Sequence, residues 1–265
     1  MKVSNIIPYF KEELDGLSDE REITSWGYLV IYYLLGLNRS NSVFYSNQVI
    51  STKNYNYIKW IVNELKKERP IQYILGQVKF YGLILKVNEY TLIPRPETEE
   101  LVAWVLKEDF KSAIDIGTGS GCISIALGKN SHANISAIEI SKEAIKVAKE
   151  NARINGVRVN FVNQDIFKNT TLPKVDLIVS NPPYVLESEK KKMKANVLHY
   201  EPHLALFTPD KNPLLFYKRI GNLASKYLNC GGKLFFEINE QYGDKILQVL
   251  SKIGFVDIEL KKDIN

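Results

Sequence analysis

The chain is predicted to be α/β: a parallel sheet with helices on both faces, behind a small N-terminal helical domain joined through a β-hairpin. Three observations predict this. From residue 112 onward, apolar runs of strand length alternate with segments of helical spacing, the rhythm of strands joined by crossover helices. A glycine-rich turn, GTGSG, separates the first of these strands from its helix. Residues 1–70 carry helical spacing and no catalytic constellation.

Taken in order, Ile23, Trp26, Leu29, Val30, Tyr33, Leu34 and Leu37 repeat at the three-to-four step of an amphipathic helix. Residues 48–65 offer a second helix that Pro70 ends. Residues 71–92 form the predicted hairpin, because IQYILGQVKFYGLILKVN mixes β-branched and aromatic residues around Gly82. Pro94 and Pro96 stop it. RPETEELVAWVL then opens a helix with proline first and acids in the first turn, where the dipole favours them. The main domain is placed at 93–265. Its strands are expected at 112–116, 134–140, 157–163, 175–180, 233–238 and 255–260. Its helices are expected at 122–127, 142–155, 212–228 and 243–252.

Bulk properties narrow the class. With 265 residues, 45% hydrophobic and 25% charged, the composition is that of an ordinary globular protein. Two cysteines, Cys122 and Cys230, with no CxxC or Cys/His cluster, argue against a disulfide framework and a structural zinc site. The N-terminus lacks the features of a signal peptide, and the apolar run at 26–37 is too short to span a bilayer. A cytoplasmic, monomeric protein with no membrane association is expected. The net charge of +5 is mild, and the EKKKMK run reads as a solvated helix face.

The chemistry begins at AIDIGTGSGCISIAL. Gly117, Gly119 and Gly121 let the backbone take positive φ and approach a ligand at the strand ends, with Thr118 and Ser120 between them. A dinucleotide fingerprint would need glycine where Cys122 stands, and the GK[ST] of a P-loop is absent. One strand later Glu139 stands where an acid accepts from both hydroxyls of an unphosphorylated ribose. At the end of the third strand Asp165 can accept from an adenine amino group, with Ile166 and Phe167 offering apolar surface to the ring. In this order the set suits S-adenosylmethionine better than a phosphate ligand.

The fourth strand ends in SNPPYV. Pro182 and Pro183 have no N–H, so their nitrogens bring no donor to the carbonyls around them. With the side-chain oxygen of Asn181 they make an acceptor-rich wall, which selects a planar NH2 group over a hydroxyl or carboxylate. Tyr184 is expected to stack on that planar group. An amide nitrogen attacks poorly unless held in line with an electrophile, and carbonyl acceptors stabilise the positive charge that grows on it. No metal is required. His199, Glu201 and His203 lack a further ligand at suitable spacing, so they read as loop residues.

RPIQYILG, LIPRPETEELV, DIGTGSGCISIAL, SNPPYV and YEPHLAL stand here in an order and spacing that resemble the HemK/PrmC family. These are class I, Rossmann-like S-adenosylmethionine-dependent methyltransferases that methylate the glutamine of the Gly-Gly-Gln motif in peptide chain release factors. IPRPETE and EPHLAL are the specific part of the resemblance, because amino-methylating DNA enzymes share NPPY.

The resemblance implies cofactor contacts at Gly117 to Gly121, Glu139 and Ile166, and places the glutamine amide at Asn181 to Tyr184, with Asn181 touching both ligands. It implies S-adenosylhomocysteine as product, class 1 release factors as partners, and a release-factor grip in the N-terminal domain. Arg95 and Glu97 are open between contacting the target loop and, for Arg95, pairing with a nearby acid. A missing edge strand at the C-terminus would expose the sixth strand as a pairing edge. The alternatives are an amino-directed nucleic-acid methyltransferase, disfavoured by the mild charge and the lack of a separate target-recognition domain, and a non-catalytic cofactor-binding module.

Overall fold

The computed structural model describes residues 1–263. It divides into two compact units: residues 1–76 with 195–200, and residues 77–194 with the chain from 201 onward.

The first unit is helical. Its longest helix, Glu20–Leu35, begins where Asp19 accepts hydrogen bonds from the backbone N–H groups of Arg21 and Glu22, and ends at Gly36 in the left-handed region. Ser51 caps Thr52–Leu65 in the same way. Phe10, Val30, Ile58 and Ile61 fill its core. Residues 71–75, expected as the first arm of the hairpin, are helical instead. Ile71, Tyr73, Ile74 and Leu75 are all buried, and Pro70 and Gly76 bracket them as a helix start and a left-handed stop. Burial of four of five residues overrides the β-branched and aromatic composition.

In the second unit the hairpin is shorter than the expected 71–92: Gln77–Phe80 pairs antiparallel with Leu83–Lys86. Tyr81 and Gly82 both take positive φ at its tip, the twist that a two-residue hairpin loop needs. Behind it lies a five-stranded parallel sheet, ordered in space as Asn160–Asn163, Asn134–Glu139, Ser112–Ile116, Val175–Ser180 and Leu228–Phe236.

The central strands are buried on both faces, as a doubly covered parallel sheet requires. Leu177 and Val179 pack with the hairpin and with Leu101, Val102 and Ile125 from the helices Pro96–Val105 and Cys122–Asn130. Ile178 and Val175 face the opposite way, onto Ile220, Leu223 and Ala224 of the helix Leu215–Tyr227.

The expected sixth strand at 255–260 does not form; among the described residues the sheet ends at Leu228–Phe236. Asp257 sits at φ +51 in the middle of the segment, a conformation that no extended strand contains. The segment packs as irregular chain instead. Ile258 joins the cluster around Tyr217, Ile246 and Leu250. The Lys261 ammonium lies 3.8 Å from the Trp104 ring centroid. The EKKKMK run is largely a 3-10 helix, Glu187–Lys192, in which Lys190 pairs with Glu187 and covers the Phe207 ring.

Candidate active site

A cleft of about 340 Å³ opens at the carboxyl ends of the central strands, where open α/β sheets bind ligands. The glycine turn forms its floor. Gly117, Gly119 and Gly121 adopt φ of +77, +54 and +83, values that a residue bearing a Cβ takes only with strain. The first two have open space where a Cβ would stand, so the backbone is bare toward the cleft. Gly121 is different: an added Cβ would meet Ile125 Cδ1 at 2.8 Å and Ala148 Cβ at 3.2 Å. It is needed for packing at the start of the helix rather than for access.

Buried groups hold this turn in shape. Asp115 Oδ2 accepts from Thr118 Oγ1 at 2.5 Å and from the Ser124 backbone N–H at 3.1 Å. Burial pushes the Asp115 carboxyl up to about 6, against the lowering effect of those two donors, and its Oδ1 has no hydrogen-bond partner. Asn151, fully buried on the neighbouring helix, accepts from the Lys86 N–H and donates to the carbonyls of Lys86 and Ser120, tying hairpin to glycine turn.

Glu139 ends the next strand and lines the cleft. Its two oxygens accept from the N–H groups of Gly119 at 3.0 Å and Ser141 at 2.9 Å, which aims the carboxylate across the turn. Asp165 and Ile166 line the same cleft, with Asp165 Oδ1 accepting from the Phe167 N–H. On the other side Asn181, Pro182 and Pro183 follow the fourth strand into the cleft wall. Ser180 anchors that strand end by donating to the Ile116 carbonyl at 2.6 Å.

Ten of the twelve predicted residues therefore meet around one cavity, Gly121 and Tyr184 being the exceptions. The Tyr184 ring packs beside Leu214 and Tyr217, and its hydroxyl lies 3.2 Å from Glu237 Oε1. Burial, followed by the Glu237 charge, pushes its phenol well above the ordinary value. Tyr184 does not line the cleft, and the Glu237 carboxylate offers its phenol a partner outside it.

Two further features were not read from the sequence. The first is Thr98, in the opening turn of the helix Pro96–Val105, which donates to Glu237 Oε2 at 2.7 Å while the Asn181 amide nitrogen lies 3.3 Å from its oxygen. Glu237 follows the last strand, at the same carboxyl edge as Glu139, and that edge rule was the signal that marked it. The second is the front wall. Leu92, Pro94 and Arg95 face the cleft together with Pro202, Leu204 and Ala205, so IPRPETE and EPHLAL lie on one cavity. Arg95, left open above, donates to Glu201 Oε1 at 2.6 Å, and Glu201 Oε2 accepts from the Ile93 N–H. Glu201 is thereby occupied. Among the described residues no group of three or more His, Cys, Asp or Glu is placed to hold a metal ion.

The chain is similar to known proteins over most of its length. Residues 97–203 match the family model described as "Methyltransferase small domain". Over 275 residues the chain is 43% identical to the release factor glutamine methyltransferase of Flavobacterium psychrophilum, covering 100% of this chain and 96% of that one. It is 40% identical to the protein of the same name from Bacteroides thetaiotaomicron, covering 99% and 96%. Among solved structures, a methyltransferase from Pyrococcus furiosus superimposes with a TM-score of 0.54 at 19% identity over 81% of this chain and 94% of that chain, a likeness of fold.

Proposed function

Because the chain belongs to the release factor glutamine methyltransferase family, we propose that it moves a methyl group from S-adenosylmethionine to a protein glutamine. The acceptor is the side-chain amide nitrogen in the Gly-Gly-Gln motif of class 1 release factors. The observation that carries this reading is the convergence of Asn181, Pro182 and Pro183 on the same cleft as the glycine turn and Glu139.

The residues present fit the cofactor. The bare backbone at Gly117 and Gly119 leaves a cradle that any Cβ would fill, and Glu139 is a carboxylate at the strand end with no cation paired to it among the described residues, the acceptor that a ribose diol calls for. Asp165 and Ile166 would hold the adenine edge and face. When bound, S-adenosylmethionine supplies an electrophilic methyl on a sulfonium.

This chain's residues do the rest by placement. The Asn181 side-chain oxygen and the Pro182 carbonyl accept the two hydrogens of the substrate NH2, which holds the nitrogen at attack distance. The same oxygens stabilise the positive charge that builds on that nitrogen, the cationic counterpart of an oxyanion hole. The proton becomes acidic once the new bond has formed, so no strong base is needed. The front wall from Leu92 to Arg95 and from Pro202 to Ala205 narrows access by water.

Mass spectrometry of the release factor's Gly-Gly-Gln peptide after incubation with enzyme and cofactor tests the assignment. A single added methyl on the glutamine is expected, and methyl transfer to adenine or cytosine in its place would overturn it.

A further inference from the structure

Behind the cleft wall, Glu237, Thr98, Asn181 and Tyr184 form a chain of hydrogen bonds that joins the end of the last strand, the first turn of the helix Pro96–Val105 and the end of the fourth strand. We propose that Thr98 and Glu237 are positioning residues that decide which edge of the Asn181 carboxamide faces the substrate. This rests on the reading of Asn181 as the group that receives the glutamine amide.

The argument is one of donor and acceptor count. Burial raises the Glu237 carboxyl above its ordinary value, and hydrogen bonds with Thr98, Tyr184 and Asn181 oppose that rise. As the anion these donors call for, it only accepts, taking the Thr98 hydroxyl proton at Oε2, 2.7 Å away, and the Tyr184 proton at Oε1, 3.2 Å away. Thr98 has one proton, and it is spent on Glu237. Its oxygen is left with lone pairs alone, and Thr98 is 2% exposed, so water does not compete for them. Only the NH2 edge of Asn181 can complete that contact, at 3.3 Å. The orientation of the carboxamide follows from this count of donors and acceptors.

With the NH2 edge held against Thr98, the Asn181 oxygen is the edge left for the cleft that the residue lines. It then accepts from a substrate NH2 and repels a substrate carboxylate. The same NH2 edge also meets the Glu237 carboxylate, so loss of the Thr98 hydroxyl weakens the preference for this orientation and lets the flipped one compete. The flipped orientation presents donors to donors. Preference for an amide over an acid is therefore set by the residues directly behind the one that makes the contact, and a buried polar group made to match one partner rejects the other strongly.

The test uses the full chain with an intact release factor as methyl acceptor. Thr98→Val keeps the shape and removes the hydroxyl; it is expected to lower kcat by about tenfold or more while KM for S-adenosylmethionine stays within about twofold. Thr98→Ser restores kcat to within about threefold. In the presence of S-adenosylhomocysteine, the ratio of affinities for release factor with Gln or Glu at the target position falls by about tenfold in Thr98→Val. Glu237→Gln lowers kcat when Thr98 is present and by a smaller factor in the Thr98→Val background, because part of the carboxylate's hold on Asn181 runs through the hydroxyl.

A Thr98→Val enzyme with native kcat and an unchanged Gln-to-Glu ratio would overturn the proposal. Equal losses for Ser and Val at 98, or equal effects of Glu237→Gln in both backgrounds, would overturn it also. A native enzyme that leaves the release factor unmethylated would instead remove the reading beneath it.

Discussion

The guanidinium of Arg95 lies 2.6 Å from the carboxylate of Glu201, although 106 positions separate them in the chain. Glu201 is almost wholly buried and Arg95 about one-third exposed. The pair joins the two sides of the front wall, since Pro94 precedes the one residue and Pro202 follows the other. Removing one partner of such a pair strands the other charge. Arg95→Met is expected to destabilise the protein by about 2 to 4 kcal/mol, the lower part of that range reflecting the solvent at Arg95. Urea unfolding gives the number, and a change below about 0.5 kcal/mol would show the pair to be a surface contact.

The two sides of the cleft have separable duties. Asn181→Ala is expected to lower kcat by about a hundredfold with little change in cofactor affinity, because its contact is worth most as charge develops on the acceptor nitrogen. Glu139→Ala should raise the dissociation constant for S-adenosylmethionine by about tenfold or more and lower kcat much less. Initial rates with calorimetric binding separate the two constants. Parallel losses in both constants from both substitutions would count against the division.

Gly119 and Gly121 are predicted to fail differently when changed to alanine. At Gly119 the added methyl meets no protein atom and projects into the cradle, so cofactor affinity falls while stability drops only by the roughly 1 kcal/mol cost of a left-handed alanine. At Gly121 the same conformational cost is joined by the contact with Ile125 at 2.8 Å, and the loss is expected to reach about 2 to 4 kcal/mol. Thermal melting with and without S-adenosylhomocysteine distinguishes them, and equal melting shifts for both would be the contrary result.

Asp115 makes stability depend on pH in an unusual direction. Its folded carboxyl titrates at about 6, above the ordinary 3.8, chiefly because burial disfavours the anion, with the Glu139 charge adding to it against the Thr118 and Ser124 donors. The folded state therefore binds this proton more tightly than the unfolded state does. The stability it contributes is complete below pH 3.8 and is lost as pH rises through about 6. A proton held about two pH units more tightly is worth roughly 3 kcal/mol. Asp115→Asn is expected to flatten this decline between pH 4 and 7 in urea unfolding; an equal slope in both proteins would assign it to other groups.

Much of this was legible in the chain itself. The helix expected at 142–155 and the strands at 112–116 and 175–180 occur with those bounds, because a helix face and a doubly buried strand each leave a pattern of apolar residues that neighbours in sequence share. The glycine turn was legible for the same reason, since positive φ is a property of the local backbone. The failures have a physical cause as well. Residues 71–75 and 255–260 carry β-branched and apolar residues, yet the first is helical and the second is irregular. Short apolar runs take the structure that their burial demands.

What the sequence by itself determined was the order of strand, glycine turn, acid and NPPY, because each is a statement about residues close together in the chain. What only the tertiary structure decided was what stands behind them. Thr98 reaches Glu237 across 139 positions and Asn181 across 83, and the Tyr184 hydroxyl meets the same carboxylate. A hydrogen bond depends on two atoms meeting at about 3 Å, and for residues so far apart that distance is set by the packing of the sheet against its helices, which no local pattern records.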